Sequence, residues 1–249
     1  MDIQRYLDRI NYAGSTAPTL DSLCALHRTH MLTVPFENLD IHRGQRIGLD
    51  ESRLFDKIVT RRRGGFCYEL NGLFAALLGS LGYEVDMLAA RVPSADGSLG
   101  IPFGHLALRV RLEETWLADV GFGDSFTEPL RLADDLAQRQ DGTAYRIVPE
   151  GTDRRLQRLE DGAWNPQYQF ALATFQLSDF AGGCEYHQTS ADSVFTRRRI
   201  CSLATPGGRV TLSDMKLIIT EGKLRTETLL TSDAQHATAL HDYFNIILD

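Results

Sequence analysis

The hydrophobic pattern along the chain changes from a helical period to an alternating one near residue 85. Before that point, apolar positions recur every three or four residues, which is the spacing of one helix face. One of these segments has start signals at Pro18 and Thr19, and another ends at Gly82. The pattern predicts helices over 3–10, 19–31, 54–59 and 71–81.

Beyond residue 85 the alternation predicts an antiparallel sheet or a small barrel. The first strands are expected over 85–92, 105–112, 115–120, 144–148, 155–160 and 167–172. Gly182 and Gly183 indicate a possible break. Later strands are expected over 198–203, 209–212, 215–220 and 223–230, before a helix from about Asp233. The chain is therefore predicted to be α+β, with a helical unit (1–84), a β unit (85–183) and an α/β unit (184–249).

Composition is typical of a soluble globular chain, with 249 residues, 43% of them hydrophobic and 24% charged. The formal charge of −7 excludes the basic footprint of a nucleic-acid-binding protein or of one that binds anionic lipid. Four scattered cysteines without a CxxC pair favour a reducing cytosol, and the N-terminus has no signal-peptide pattern. The most apolar stretch, 73–81, is about half the length of a membrane span. We expect a cytoplasmic protein without nucleic-acid or membrane partners.

Cys67 is the candidate nucleophile. Two glycines precede it, and it lies where the first turn of a helix is predicted. Unpaired N–H groups and the helix dipole favour an anion there, and thiolates at helix N-termini have lowered pKa values. A free cysteine is more often a small buried hydrophobe, and Cys24 and Cys201 keep that interpretation. The glycines, Arg63 and the helix start favour a nucleophile at Cys67.

His105 and Asp119 are the candidate partners of Cys67, because a nucleophilic thiol needs a base and the base needs an orienting acceptor. They lie on the predicted strands 105–112 and 115–120. A three-residue connection puts the apolar even-numbered residues of both strands on one face. His105 and Asp119 are then diagonal neighbours on the other face. The pattern thus predicts a Cys-His-Asp triad.

Five segments resemble the motifs of the arylamine N-acetyltransferase family, in the same order along the chain. The spacings of 38 residues from Cys67 to His105 and of 14 residues from His105 to Asp119 fit as well. The resemblance extends from the helix that contains Tyr6 to Phe244. The segments are VPFENL (34–39), RGGFCYELN (63–71), ARV (90–92), HL (105–106) and DVGFG (119–123).

The resemblance implies an N-terminal helical bundle, a central antiparallel β-barrel and a C-terminal α/β lid, with the triad where bundle and barrel meet. It also implies a ping-pong reaction. Acetyl-CoA acylates Cys67, and the acetyl group then passes to the nitrogen of an arylamine, an arylhydroxylamine or a hydrazine. His105 is the implied proton partner and Asp119 the implied orienter. CoA is then a substrate in the cleft between barrel and lid, and no permanent cofactor is expected.

Secondary sites follow from the same resemblance. Three residues match the pocket for the aromatic amine: Phe36, Val92 and Phe195. Three match the loop that approaches the CoA pyrophosphate, where small residues admit backbone N–H contacts: Gly121, Phe122 and Gly123. Negative charge at Asp124 and Glu128 is expected to weaken phosphate binding there. The partners are expected to be small molecules, and the protein a monomer or a homodimer.

Other interpretations of these residues remain open at this stage. An amide synthase of the same family would use the same triad on a bulky acyl chain, and a thiol hydrolase would use it on water. A binding protein could keep the fold without catalysis, which loss of activity in Cys67→Ser would exclude. His27 and His30 are spaced to share a metal, but local spacing offers no third ligand, so no metal is expected.

Overall fold

The computed structural model describes residues 1–94, 97–133 and 135–248. Within them it confirms the α+β class, with most helices before residue 81 and most strands after it. Positions 95, 96 and 134 of the predicted β unit, and position 249 of the predicted α/β unit, lie outside the described residues. The division into three units at these boundaries stays a prediction.

The described part of the chain contains eight α-helices, of which the second begins at the start signal expected at Thr19. They are α1 (Ile3–Arg9), α2 (Leu20–Thr33), α3 (Leu39–His42), α4 (Glu51–Phe55), α5 (Cys67–Ser80), α6 (Ala181–Thr189), α7 (Val194–Arg197) and α8 (Asp233–Phe244). Asp2 caps α1 by accepting the N–H of Arg5 at 3.1 Å. Thr19 caps α2 by accepting the N–H of Ser22 at 3.3 Å. Among the described helices, none combines the length and the apolar character that a membrane span requires.

One antiparallel sheet contains eight of the described strands, in the order β5-β4-β3-β2-β9-β8-β7-β6. These are β2 (Glu84–Arg91), β3 (His105–Arg111), β4 (Thr115–Ala118), β5 (Leu130–Arg131), β6 (Gln138–Gln140), β7 (Thr143–Glu150), β8 (Asp153–Glu160) and β9 (Ala163–Phe175). The side chain of Gln138 joins the two edge strands: it accepts the N–H of Arg131 at 2.7 Å and donates to its carbonyl oxygen at 3.0 Å. The sheet is therefore nearly closed into a barrel.

The β3–β4 hairpin has the predicted register, with Leu108 opposite Ala118 and Arg111 opposite Thr115. Alternate residues consequently face two different cores. The side chains that pack towards the helices are Leu106, Leu108, Val110, Trp116, Ala118 and Val120. The other face contributes Ala107 and Leu117 to the core inside the barrel. His105 shares this inner face.

A second antiparallel sheet includes one strand from the N-terminal part of the chain. Its order is β1-β10-β11-β12-β13, namely β1 (Phe36–Glu37), β10 (Ile200–Thr205), β11 (Gly208–Ser213), β12 (Lys216–Glu221) and β13 (Leu224–Leu229). Phe36 pairs with Ser202 of β10, and it also bridges to Gly65 just before α5. The sheet with which α8 packs is thereby anchored beside the start of α5.

The predicted helix over 54–59 is part of a longer helical segment, in which α4 ends at Phe55 and continues as a π-helical turn, Asp56–Thr60. The predicted break at Gly182 and Gly183 lies inside α6. A Cβ on Gly183 would lie 2.3 Å from the carbonyl oxygen of Phe103. This glycine therefore permits close packing of α6 rather than a chain break.

Candidate active site

Cys67 is the first residue of α5. In the same turn, Glu69 accepts the N–H of Phe66 at 3.1 Å and so helps to satisfy the helix start. A Cβ on Gly64 would lie only 2.0 Å from the carbonyl oxygen of Pro35. The glycines before the cysteine therefore allow the chain at β1 to pack directly against this turn.

His105 and Asp119 form a buried pair inside the barrel. Nε2 of His105 lies 2.7 Å from Oδ2 of Asp119, and the two side chains are 3% and 0% exposed. Burial opposes ionisation of Asp119, but the charge of His105 and hydrogen bonds from His105, Asn71 and Gly121 outweigh it and lower the pKa of this carboxyl. The carboxylate can therefore orient the imidazole and stabilise its cationic form.

Asn71 connects the helix of the cysteine with the loop of the aspartate. Its Nδ2 donates to Oδ1 of Asp119 at 2.8 Å and to the carbonyl oxygen of Leu106 at 2.6 Å. Its Oδ1 accepts the N–H of Val120 at 2.9 Å. Asn71 follows Cys67 by four residues and so lies on the same helix face, but its role was not predicted from the sequence.

His27 supports Asp119 through the backbone. Its Nε2 accepts the N–H of Asp119 at 3.1 Å, so its proton lies on Nδ1, which donates to the carbonyl oxygen of Thr127 at 2.8 Å. The ring stacks on Phe126 with centroids 5.6 Å apart. Burial lowers the pKa of His27 to about 4, so the ring is neutral at physiological pH. Both ring nitrogens are thus engaged in positioning, rather than in a metal site shared with His30.

Burial is the largest influence on the Cys67 thiol and raises its pKa, while the nearby backbone N–H groups of Leu106 and Tyr68 act in the opposite direction and favour the thiolate. The lowered pKa expected at this helix start is therefore wrong in direction. Thiolate formation requires a proton acceptor in the site, and His105 lines the same cavity as Cys67.

A cavity of about 520 Å³ opens onto Cys67 and His105, while Asp119 is fully buried. The structure brings all the residues expected at substrate and donor sites into its wall. They are Phe36, Val92, Phe195, Gly121, Phe122 and Gly123. Their individual roles stay predictions.

An aromatic wall borders this cavity on the side of α6 and α7. The ring centroids of Phe36 and Phe195 are 5.9 Å apart, and those of Phe195 and His187 are 5.1 Å apart. Nε2 of His187 donates to the carbonyl oxygen of Gly104 at 3.0 Å, and its Nδ1 lies 3.1 Å from Oγ of Ser193. His187, which the sequence analysis left without a role, thus holds α6 against the residue that precedes His105.

The loop after Asp119 packs closely against α5. A Cβ on Gly121 would lie 2.7 Å from Cα of Cys67, so only glycine allows this approach. Gly123 has a φ of +92°, in the region that favours glycine. Close packing therefore requires glycine at position 121, and the backbone conformation favours it at position 123. Both reasons are independent of the contact with CoA that the resemblance implies.

Tyr168 is a further buried residue of the site that the sequence analysis missed. Its ring centroid lies 4.9 Å from that of His105 and 5.2 Å from that of Phe122. Burial and the charge of Asp119 raise the pKa of the phenol, so it stays protonated. Within the described residues its hydroxyl lacks hydrogen-bond geometry to any partner. Alternation along β9 predicts only that this residue is buried.

A family described as N-acetyltransferase matches residues 19–249 of the chain. The arylamine N-acetyltransferase of Escherichia coli (strain K12) is 39% identical over 215 residues, which are 85% of this chain and 76% of that protein. A Salmonella typhimurium protein named arylamine N-acetyltransferase / N-hydroxyarylamine O-acetyltransferase is 36% identical with the same coverage of both chains, 85% and 76%. The structure of Mycobacterium marinum arylamine N-acetyltransferase in complex with CoA is similar with a TM-score of 0.93. It is 35% identical, and the match covers 98% of this chain and 93% of that one.

Proposed function

The chain belongs to the arylamine N-acetyltransferase family, and we propose that this acyltransferase works by a ping-pong reaction with Cys67 as nucleophile. Acetyl-CoA acylates the cysteine, and the acetyl group then passes to the nitrogen of an arylamine, an arylhydroxylamine or a hydrazine. One observation carries the proposal: Cys67 and His105 line a single cavity of about 520 Å³, with the imidazole held by Asp119.

Acylation exchanges one thioester for another. Nδ1 of His105 takes the thiol proton, because Nε2 is engaged by Asp119. The Cys67 thiolate attacks the acetyl carbon, the bond from that carbon to the sulfur of CoA breaks, and His105 returns the proton to the departing CoA thiolate. The two thioesters are close in energy, so this step is readily reversible.

In the transfer to the acceptor, the Cys67 sulfur is the leaving group instead of the nucleophile. The amine nitrogen attacks the acetyl carbon, the bond to the Cys67 sulfur breaks, and a proton passes from nitrogen through His105 to the thiolate. The products are the acetylated amine and the free enzyme. The backbone N–H of Cys67 is the first candidate donor to the oxyanion, because the first N–H groups of α5 have no intrahelical partner.

The walls of the cavity suit these substrates. The apolar side chains of Phe36, Val92 and Phe195 offer a surface for an aromatic ring. The loop from Gly121 to Gly123 is the proposed approach for CoA, which the M. marinum relative binds as a complex. Acetyl-CoA is then a substrate, with no permanent cofactor. The cytoplasmic location, a role in xenobiotic metabolism and the monomeric or homodimeric state stay predictions.

Intact-protein mass spectrometry tests the proposal directly. The protein is mixed briefly with acetyl-CoA, and an arylamine or a hydrazine such as isoniazid is then added. We expect one acetyl adduct on Cys67 that disappears as the acetylated amine forms. Cys67→Ser, checked for folding by circular dichroism, is expected to give neither adduct nor product.

Other outcomes identify the alternatives. An unmodified Cys67 that iodoacetamide still labels quickly means that acetyl-CoA is the wrong donor, which favours an amide synthase. An adduct that is lost at the same rate without amine indicates a hydrolase. Product formation by Cys67→Ser would contradict the covalent mechanism itself.

A further inference from the structure

A second cavity, of about 310 Å³, lies between the barrel and the sheet that contains β10 to β13. Its walls come from the loop after Gly123, from β7 and β8, and from the turn 204–208 between β10 and β11. Three residues line both this cavity and the one that contains Cys67: Asp124, Arg209 and Thr220. The second cavity therefore adjoins the proposed approach of CoA.

Two arginines in the second cavity share one carboxylate. Nε of Arg209 lies 3.0 Å from Oδ1 of Asp124, and Nη1 of Arg158 lies 3.3 Å from Oδ2. The arginine side chains are 12% and 22% exposed respectively, whereas that of Asp124 is 60% exposed. Asp124 can consequently turn towards solvent, while the two cations stay in the cavity.

Two hydrogen-bond donors beside the second cavity lack a partner within the described residues. Ser125 is 5% exposed, and its buried hydroxyl has no hydrogen-bond partner. Nε of Arg158 also makes no hydrogen bond, although an oxygen of Glu160 lies 3.5 Å away as an ion-pair contact. A buried donor left without a partner destabilises the protein, because it has lost its hydrogen bonds to water. Two such donors beside one cavity indicate a ligand rich in acceptor oxygens.

The remaining acidic groups near this cavity are already engaged or open to solvent. Asp141 is paired with Arg28 at 3.3 Å and accepts a hydrogen bond from Thr127. Glu160 is 46% exposed. Burial, together with the charge of Arg158, lowers the pKa of Arg209 even though Asp124 opposes this. Burial opposes the charge of Arg158 as well, but the carboxylates of Asp124 and Glu160 outweigh it and raise the pKa of this group, so Arg209 is the less compensated of the two.

We propose that this cavity binds a phosphoryl group, which takes the place of the Asp124 carboxylate between Arg158 and Arg209 and accepts a hydrogen bond from Ser125. A phosphoryl group suits the site because it offers several acceptor oxygens to two charged donors and a hydroxyl at once. The phosphates of CoA are one source, which rests on the proposed function, and a free nucleotide is the other. Asp124 then occupies the site in the absence of ligand, rather than simply weakening phosphate binding as the sequence analysis expected.

Titration calorimetry with adenosine 3′,5′-bisphosphate tests the site without any acetyl transfer. We expect the wild-type protein to bind it, and Arg158→Gln and Arg209→Gln each to weaken binding by about 10-fold or more, the loss of a charged hydrogen bond. Asp124→Asn is expected to strengthen binding, because it removes the competing carboxylate. Arg155→Gln on the same strand as Arg158, outside this cavity, is the matched control and is expected to bind normally. Equal affinity in the wild type and both arginine variants would overturn the proposal.

Steady-state kinetics then separate the two sources of phosphate. If CoA is the ligand, both arginine variants raise the KM for acetyl-CoA by about 10-fold, with little change in kcat. Loss of bisphosphate binding with an unchanged KM supports the site, with a free nucleotide as its ligand. Acylation of wild-type Cys67 by 4-nitrophenyl acetate, which contains no phosphate, tests the proposed function separately. Its failure would count against the nucleophile and leave the binding result intact.

Discussion

Helix α5 contributes to two clusters of buried polar side chains that differ in what their charges can do. The first, which we call the ion cluster, contains Glu37, Asp40, Lys57, Arg63 and Glu69. The second, which we call the catalytic cluster, contains Cys67, Asn71, His105 and Asp119. Both are buried, and both join α5 to residues distant in the chain.

The ion cluster is composed of three carboxyl groups, one amine and one guanidinium group that lie close together. Nζ of Lys57 lies 2.8 Å from Glu69 and 2.9 Å from Asp40, while Arg63 lies 2.7 Å from Glu37 and 3.0 Å from Asp40. Burial opposes the charge of Lys57, but the three carboxylates raise the pKa of this amine above its ordinary value. Lys57 therefore keeps its proton near neutral pH, and none of the residues in the ion cluster lines the cavity of Cys67.

The catalytic cluster contains a thiol and an imidazole, between which a proton passes in the proposed reaction, and it opens onto the cavity. Its carboxylate, Asp119, is held by Asn71, Gly121 and His105. Buried charge is thus common to both clusters. The catalytic cluster differs because it contains a nucleophile with a proton partner and is open to this cavity, whereas the ion cluster lies outside the cavity and holds the frame.

The largest effect is expected from Asp119→Asn, which leaves the shape of the catalytic cluster nearly unchanged. An amide can orient the imidazole in the wrong tautomer and does not stabilise its cation, so acylation of Cys67 by acetyl-CoA should slow on the order of 10⁴-fold. Rapid-quench mass spectrometry measures that rate. The matched change in the ion cluster, Asp40→Asn, should leave it within about threefold, since Lys57 and Arg63 keep other partners. A similar loss in both variants would remove the distinction between the clusters.

Replacement of Lys57 by methionine should have the next largest effect, and on stability rather than on chemistry. It leaves the buried carboxylate of Glu69 without a cation, which should lower the free energy of unfolding by about 3–5 kcal/mol. Urea denaturation at pH 7 measures the loss. Adding Glu69→Gln should restore part of it, because the uncompensated charge is then absent. A stability equal to that of the wild type would show that the ion cluster does not stabilise the frame.

Much of this frame could be predicted from the sequence, because it depends on local periodicity. The register of β3 and β4 followed from the apolar face shared by Leu108 and Ala118, and it brought His105 and Asp119 together. The start of α5 at Cys67 was indicated by the glycines before it. In these cases a short-range pattern determines which side of a strand or helix is buried.

The supporting residues could not be predicted, because their partners are distant in the chain. Asn71 reaches Asp119 across 48 residues and His27 reaches it across 92, so neither contact leaves a local signal. The pKa of Cys67 was predicted in the wrong direction for a related reason. The helix start is visible in the sequence, but the burial that outweighs it arises from packing.

His27→Gln is expected to have a smaller effect, confined to acid conditions. The pKa of His27 is about 4 in the folded protein and about 6.5 when exposed, so the unfolded chain binds more protons between these values. The contribution of His27 to the free energy of unfolding is therefore fully present above pH 6.5. About 3 kcal/mol of it is lost as the pH falls towards 4. Glutamine can replace both hydrogen bonds without titrating. Urea denaturation at pH 7, 5.5 and 4.5 should give a shallower decline in the variant, and a parallel decline would contradict this assignment.

The smallest effect expected is on the reactivity of the free thiol in His105→Ala. Burial already raises the pKa of Cys67, and removal of the imidazole takes away the proton acceptor of the proposed reaction. The rate of alkylation by iodoacetamide at pH 7 should fall about 100-fold, at the lower end of the effect expected when a proton acceptor is lost. The rate should recover as the pH is raised, because hydroxide then removes the thiol proton. Peptide mass spectrometry follows Cys67, with the partly exposed Cys24 as an internal control whose rate should not change. If Cys67 reacts as quickly in the variant, its thiolate forms without His105. The catalytic cluster would then lack the proton exchange that sets it apart from the ion cluster.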